Sequence, residues 1–431
     1  MALCQNKFTS NSNSFRRQFL PLGFPIVSCP GGGASVFLGG FMNYKISQRA
    51  ASLAPSLTLA IDSKAKAMKA EGLDVVGFGA GEPDFDTPRH IKDAAIQALN
   101  DGFTKYTPSS GIPELRQAIA DKFQRENGLT YKPSQVIVSC GGKHSCYNVI
   151  LATCEAGDEV IIPAPYWLSY PEMVKLAGAT PVFIQTSDKT EFKVTPEQLR
   201  AALTPRTRLF VLNSPSNPTG SVYTPAEIKA LGDICVEKGV LIMSDEIYEH
   251  LLYDGAKHQS VASFSQAHYE HTIVVHGFAK AWSMTGWRLG FLAAPEPIAK
   301  AIDAIQSHST SNPTSFAQKG GVAALTGSQE HLPSWLGEYD QRRQSAHAKL
   351  NSIPGLSCVN SKGAFYLFPN ISRTGLKSAD FCARLLEQEK VAAVPGIAFG
   401  ADDYLRISYA TSLANIEKGL DRLDHFVRGL T

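Results

Sequence analysis

HGFAKAWSMTGWRLGF, His276 to Phe291, is the stretch on which the reading of this chain turns. It holds Lys280 between two apolar, strand-like runs, Thr272–Val275 before it and Arg288–Ala294 after it. A lysine confined between apolar strands loses hydration of its ammonium, so its pKa falls and its free amine becomes a better nucleophile. Taken alone, Lys280 reads as a lysine snorkelling from a strand end. Two upstream stretches change that weighting: NSPSNPTG, Asn213 to Gly220, and SDEIYEH, Ser244 to His250. The second sets an acid, Asp245, one helical turn before a tyrosine, Tyr248. An activated lysine with a carboxylate partner is what pyridoxal phosphate (PLP) chemistry requires. The amine forms a Schiff base, and the carboxylate keeps the pyridine nitrogen protonated.

Outside these stretches the composition is ordinary. A chain of 431 residues can bury a large core and should hold two domains. Apolar residues make up 44% and charged residues 19%, a globular balance. The net charge of +2 supplies no electrostatic reason for a nucleic-acid or membrane partner, and no apolar run approaches a membrane span. Eight cysteines include no CxxC pair. Cys140, Cys146 and Cys154 read as small buried fillers in a reducing compartment, with neither a disulfide frame nor a metal expected.

The N-terminus departs from this balance. Met1 to Ile61 contains no acidic residue, while Lys7, Arg16, Arg17, Lys45 and Arg49 are basic. Residues 1–41 read as a disordered lead on a cytoplasmic enzyme, with an organellar transit peptide as the alternative. CPGGGAS, Cys29 to Ser35, weighs against an amphipathic targeting helix.

Seven apolar runs read as buried strands: Val136–Val138, Val160–Ile162, Pro181–Ile184, Leu209–Leu212, Val240–Met243, Ile273–Val275 and Leu289–Ala293. Amphipathic segments such as Pro113–Asn127 and Pro225–Lys238 separate most of them. Alternation of that kind predicts an α/β fold with a mostly parallel sheet covered on both faces. From Trp335 on, a long helix, short strands (Leu356–Val359, Phe365–Phe368, Tyr404–Ser408) and a terminal helix predict a smaller α+β domain. The expected division is 1–41 as the lead, 42–87 as an arm and part of the small domain, 88–327 as the large domain, and 328–431 as the C-terminal small domain.

Five further segments join the three already quoted, in a fixed order: AGEPDFDTP (Ala80–Pro88), KYTPSSGIPELR (Lys105–Arg116), PAPYWLSYPEM (Pro163–Met173), GAFYLF (Gly363–Phe368) and YLRISYA (Tyr404–Ala410). From about Tyr44 to the C-terminus the chain resembles the fold-type I PLP aminotransferases, specifically the bacterial-type aspartate aminotransferases of class I. The resemblance implies a large PLP-binding domain on a mostly parallel seven-stranded sheet between helices, plus a smaller α+β domain. It also implies a homodimer with shared active sites, acting on amino acids and 2-oxo acids.

Residue roles follow from the matching motifs. Lys280, Asp245 and Tyr248 are the expected catalytic residues. Cys140-Gly141-Gly142-Lys143 follows a strand and opens a helix, where backbone N–H groups can seat a phosphate. Arg288 matches a phosphate-binding arginine, and Tyr106 a tyrosine reaching the phosphate from the neighbouring subunit. Tyr248 and Asn217 match donors to the ring phenolate oxygen, and Trp167 a residue stacked on the ring. Core packing is the alternative for both aromatics, and a plain turn for NPTG. Arg406 matches the clamp on the substrate α-carboxylate, which a planar guanidinium grips through two parallel hydrogen bonds. Gly81, Trp167 and Asn217 border the substrate. Lys143 and Pro55-Ser56-Leu57-Thr58 match groups that meet a distal carboxylate.

The implied reaction is ping-pong transamination between L-aspartate or L-glutamate and 2-oxoglutarate or oxaloacetate, that of an aspartate transaminase. Relatives that accept prephenate tend to carry a lysine before that proline, where this chain has Ala54. A prephenate or aromatic aminotransferase is therefore the alternative, as is a PLP-dependent lyase on the same fold. A non-catalytic PLP-binding regulator is disfavoured by the retained Lys280, Asp245, Tyr248 and Arg406. The chain also departs from its relatives: Ala279 and Gly277 lack hydroxyls found at those offsets, so one phosphate hydrogen bond fewer is expected.

Overall fold

The computed structural model describes residues 45–53 and 57–430. The expected lead and the residues Ala54, Pro55 and Ser56 lie outside it, as do the side chains of Leu57 and Thr58.

Every one of the seven apolar runs is a strand of one sheet: β1 Val136–Ser139, β2 Glu159–Ala164, β3 Thr180–Gln185, β4 Thr207–Asn213, β5 Leu241–Asp245, β6 Thr272–Gly277 and β7 Gly290–Ala293. They lie in the order β1-β7-β6-β5-β4-β2-β3. Only β7 runs against its neighbours, pairing antiparallel with β1 and β6, and the other pairs are parallel. β6 and β7 are buried along their whole length because helices cover both faces, so they read as unbroken apolar runs without alternation. β3 lies at the edge and exposes Thr180 and Gln185.

Local signals set the helices between the strands. In Pro225–Lys238, Thr224 and Glu227 form a capping box at the start, and Gly239 ends the helix in the left-handed region at φ 66°. The segment Pro113–Asn127 differs from expectation. It is an α-helix, α1, only over Pro113–Lys122, and Phe123–Asn127 continues as a π-helix. The wider turn lets Lys122 and Asn127 both point inward, with Nζ of Lys122 2.9 Å from Oδ1 of Asn127.

A second core lies around Tyr366, Leu405, Ile407 and the helices His331–Ser352 and Leu413–Arg428. Tyr366–Leu367, Leu405–Ser408 and Val394–Pro395 make an antiparallel sheet, and Val76–Gly77 pairs in parallel with Val391–Ala392. Leu356–Val359, expected as a strand, is not one. Ser357 makes only a bridge to Asn370, and the N–H of Cys358 is taken by Oδ1 of Asn351, 2.9 Å away, so no ladder propagates. Among the described residues no helix is long and apolar enough to cross a membrane.

The fold delivers the site through strand ends. Asn213 closes β4, Asp245 closes β5, and Lys280 follows β6 by three residues. Ligands of open parallel sheets gather at carboxyl ends like these.

Candidate active site

Lys280 reaches back across the site, its Nζ donating to the carbonyl of Gly81 and lying 5.5 Å from the ring centre of Tyr248. Burial pulls its pKa down to about 8, and the nearby Arg406 guanidinium adds to the effect. Asp245 is buried, and its Oδ2 accepts from the Tyr170 hydroxyl at 2.5 Å, with the Cys146 thiol at 3.8 Å. Its Oδ1 accepts from the N–H of Ile247 at 3.3 Å. Burial raises the Asp245 pKa, and these neutral donors oppose that only in part. A cation set against this carboxylate would stabilise it, as a protonated pyridine nitrogen does.

Arg406 sits in a strand of the second core, at 2% exposure. Its Nη1 donates to Oδ1 of Asn217 at 3.0 Å and its Nη2 to the carbonyl of Gly79 at 2.8 Å. Its guanidinium carbon lies 4.6 Å from the ring centre of Tyr366 and 5.1 Å from that of Phe399. Nε has no hydrogen-bond partner among the described residues. Burying this cation without a carboxylate is costly, and an arriving anion relieves the cost.

The anion cup lies at the start of the helix α2, Gly142–Thr153. Gly141 precedes it at φ 97°, and a Cβ there would come within 2.5 Å of Nη2 of Arg288, so only glycine lets the arginine lie over the turn. Arg288 is itself in the left-handed region at φ 51°, held by its Nη1 on the carbonyl of Thr285 at 2.9 Å. Strain of this kind concentrates at functional sites. Lys143 Nζ lies 5.0 Å from the Trp167 ring centre, and burial, then Arg288, lower its pKa.

Gly81, Gly142, Lys143, Trp167, Asn217, Asp245, Tyr248, Lys280, Arg288 and Arg406 all line one cavity of about 1140 Å³. Gly141 lies against Arg288 at its edge. Tyr106 stands apart, 91% exposed on this chain. The expectations missed three residues. Tyr170, three positions after Trp167, and Cys146, read as a filler, both touch Asp245. Tyr366, inside GAFYLF, lies against Tyr248 and Arg406. The signal for Tyr170 and Tyr366 was their place within motifs, whereas Cys146 had none.

Behind the site, Glu246 and Glu249 flank Tyr248 in sequence and point away from it into a buried polar cluster. Glu249 meets the Lys122 ammonium, Nε2 of His276 at 2.9 Å and Nδ2 of Asn127 at 2.8 Å. Glu246 meets Nε2 of His258 at 3.0 Å and the hydroxyls of Ser244 and Ser260, each at 2.7 Å. Two sets, Glu249–His250–His276 and Glu246–Glu249–His258, bring ligand-type atoms within 4.8 Å of one another. Lys122 supplies the positive charge against Glu249, and its attraction holds the Glu249 pKa well below the usual carboxylate range despite burial.

The cavity therefore suits one kind of guest: a flat ring with a nitrogen to protonate and an oxygen to hold, an aldehyde for Lys280, and a phosphate for the cup. PLP has all four features, and the chain is a PLP-dependent enzyme. The family model described as aminotransferase class I and II matches residues 73–423. The aspartate aminotransferase of Geobacillus stearothermophilus is 53% identical over 388 residues, covering 89% of this chain and 99% of the relative. The aspartate/prephenate aminotransferase of Nitrosomonas europaea is 48% identical over 391 residues, 88% of this chain and 98% of the relative. Among solved structures, the aspartate aminotransferase from Thermus thermophilus with maleate aligns with a TM-score of 0.85 at 44% identity, covering 89% and 99% of the two chains. The chain belongs to the class I and II aminotransferases.

Proposed function

We propose that the enzyme transfers the amino group between L-aspartate or L-glutamate and 2-oxoglutarate or oxaloacetate, in two half-reactions at one site. The observation that carries this reading is the pair of cations, Arg406 and Lys143, facing the same cavity as Lys280. When bound, PLP supplies an electron sink for the bond broken at the substrate Cα. Arg406 grips the α-carboxylate and turns the Cα–H toward Lys280. With a pKa of about 8, the Lys280 amine takes that proton and returns it one position along. Asp245 would hold the proton on the ring nitrogen, Tyr248 and Asn217 would donate to the ring oxygen, and Trp167 would wall one face. Gly141, Gly142, Lys143 and Arg288 would border the phosphate. Lys143 also draws in the distal carboxylate.

A panel of amino donors with 2-oxoglutarate tests this. Aspartate and glutamate should lead, and Lys143→Ala should raise the aspartate KM about tenfold or more, the size expected for one charged hydrogen bond. Alanine or an aromatic donor outrunning aspartate would overturn the specificity. Prephenate is the second reading, favoured by the name of the Nitrosomonas relative. Release of pyruvate and ammonia without an oxo acid would point to the lyase.

The exposure of Tyr106, with the anion cup open to the same cavity as Lys280, supports a homodimer in which Tyr106 serves the partner's phosphate. A Tyr106→Phe chain mixed with a Lys280→Ala chain should then form hybrids with one native site and one doubly damaged site. Activity should rise above that of either parent, whereas a tyrosine acting within its own chain gives no such recovery. The separate cores support a large domain over 88–327 and a small domain from 42–87 with 328–431. Six free cysteines among the described residues suit a cytoplasmic setting.

A further inference from the structure

Tyr366 is fully buried, touches two groups of the site and takes no part in the reaction described above. Its position follows from register. Tyr366 is paired with Ser408 across the antiparallel ladder, so Arg406, two residues along, is its diagonal neighbour on the same face. The Tyr366 ring therefore lies beneath the guanidinium, 4.6 Å from its central carbon. Its hydroxyl extends past Arg406 to within 2.8 Å of the Tyr248 hydroxyl. Gly81 lies beside that hydroxyl, where a Cβ would sit 3.4 Å from the Tyr366 oxygen, in ordinary contact.

Two phenols at hydrogen-bond distance share one proton, and the acceptor must send its own proton elsewhere. Tyr248 opens onto the cavity beside Lys280, so its proton has a destination once a ring oxygen arrives. The Tyr366 hydroxyl has only Tyr248 as hydrogen-bond partner among the described residues. Burial raises the Tyr366 pKa, and the Arg406 cation against its ring opposes that rise; the donor role falls to Tyr366 because its proton has no other described destination.

We infer that Tyr366 is a positioning residue that donates its O–H to Tyr248 and thereby aims the Tyr248 proton at the cofactor ring oxygen. The inference rests on the PLP reading and deepens it. Hydrogen bonds in series strengthen one another, so the relay makes Tyr248 a stronger donor than a lone phenol. It also links the carboxylate clamp to the cofactor: an anion on Arg406 lowers the field that makes Tyr366 a good donor.

Tyr366→Phe in the loaded dimer tests the relay, because phenylalanine keeps the ring under Arg406 and removes only the hydroxyl. A donor to the ring oxygen stabilises the unprotonated form at Lys280. Its weakening should therefore raise the pH midpoint of the bound cofactor's visible colour change by about half a unit to one unit, the size of one hydrogen bond. kcat should fall about two- to tenfold while the aspartate KM stays within about twofold. Tyr248→Phe should shift the midpoint further, and adding Tyr366→Phe to it should shift it no more, since the relay then has no end. An unmoved midpoint in Tyr366→Phe beside a moved one in Tyr248→Phe overturns the inference. So does a raised KM with an unchanged midpoint, which would confine Tyr366 to supporting Arg406. A wild-type protein that takes no colour overturns the PLP reading and the relay together, which separates the two failures.

Discussion

Lys280→Ala lowers transamination by at least about 10⁴-fold, because the substitution removes both the amine that condenses with the cofactor and the base that moves the Cα proton. The wild-type protein should be yellow as purified, and borohydride should fix the cofactor to the peptide holding Lys280. In the variant borohydride should fix nothing. The rest of the cup remains in place, so the variant should still bind PLP reversibly through Arg288 and the start of α2. A second readout comes from the Lys280 pKa of about 8, which burial sets first and Arg406 second. Only the neutral amine attacks, so the rate at which apoprotein reloads should climb with pH and level off above about 8. Normal turnover by Lys280→Ala, or labelling of another lysine, would end the assignment.

Lys122→Met destabilises the fold by about 3–5 kcal/mol at neutral pH, the cost of leaving one partner of a buried ion pair without its counter-charge. Lys122 is fully buried on the last turn of α1, against a carboxylate that is itself buried. The pair joins α1 to the turn after Asp245 that carries Tyr248, and through His276 to the end of β6 that leads to Lys280. The sign of the pH dependence follows from Glu249, whose folded pKa is held well below its ordinary 4.5. In wild type its contribution is present above about 4.5 and is lost as pH falls toward the depressed folded value. Without Lys122, burial dominates and Glu249 favours its neutral form, so the deficit of Lys122→Met should shrink as pH is lowered from 7 toward 5. Lys122→Met with Glu249→Leu removes both charges and should recover most of the stability. Denaturant unfolding across pH measures all three. A Lys122→Met protein within about 1 kcal/mol of wild type, or a double variant no better than the single, contradicts the pairing.

Much of this architecture was legible in the chain. The strands of the large sheet could be placed because residues buried on both faces must be apolar throughout, and runs such as Val160–Ile162 and Ile273–Val275 are. The helix over Pro225–Lys238 could be placed because Thr224, Glu227 and Gly239 are local signals that act within a few residues. Lys280, Asp245, Asn217 and Arg406 could be named from their motifs, but that they meet was an expectation. They come from four strand ends or loops up to 189 residues apart, the separation of Asn217 and Arg406.

What tertiary structure alone decided is where side chains point and what they find there. A strand at Leu356–Val359 was plausible from its residues, but Asn351 of the preceding helix takes the Cys358 amide and stops it. The π-turn after Lys122 brings Lys122 and Asn127 together onto Glu249, which lies 127 residues from Lys122, a partner that no local pattern announces. Cys146 and Tyr170 became partners of Asp245 only when α2 and the helix Ser169–Leu176 packed beside the end of β5. Motif and periodicity report on burial and on neighbours in sequence. The direction of a hydrogen bond and the balance of buried charge depend on groups that only the folded chain brings together.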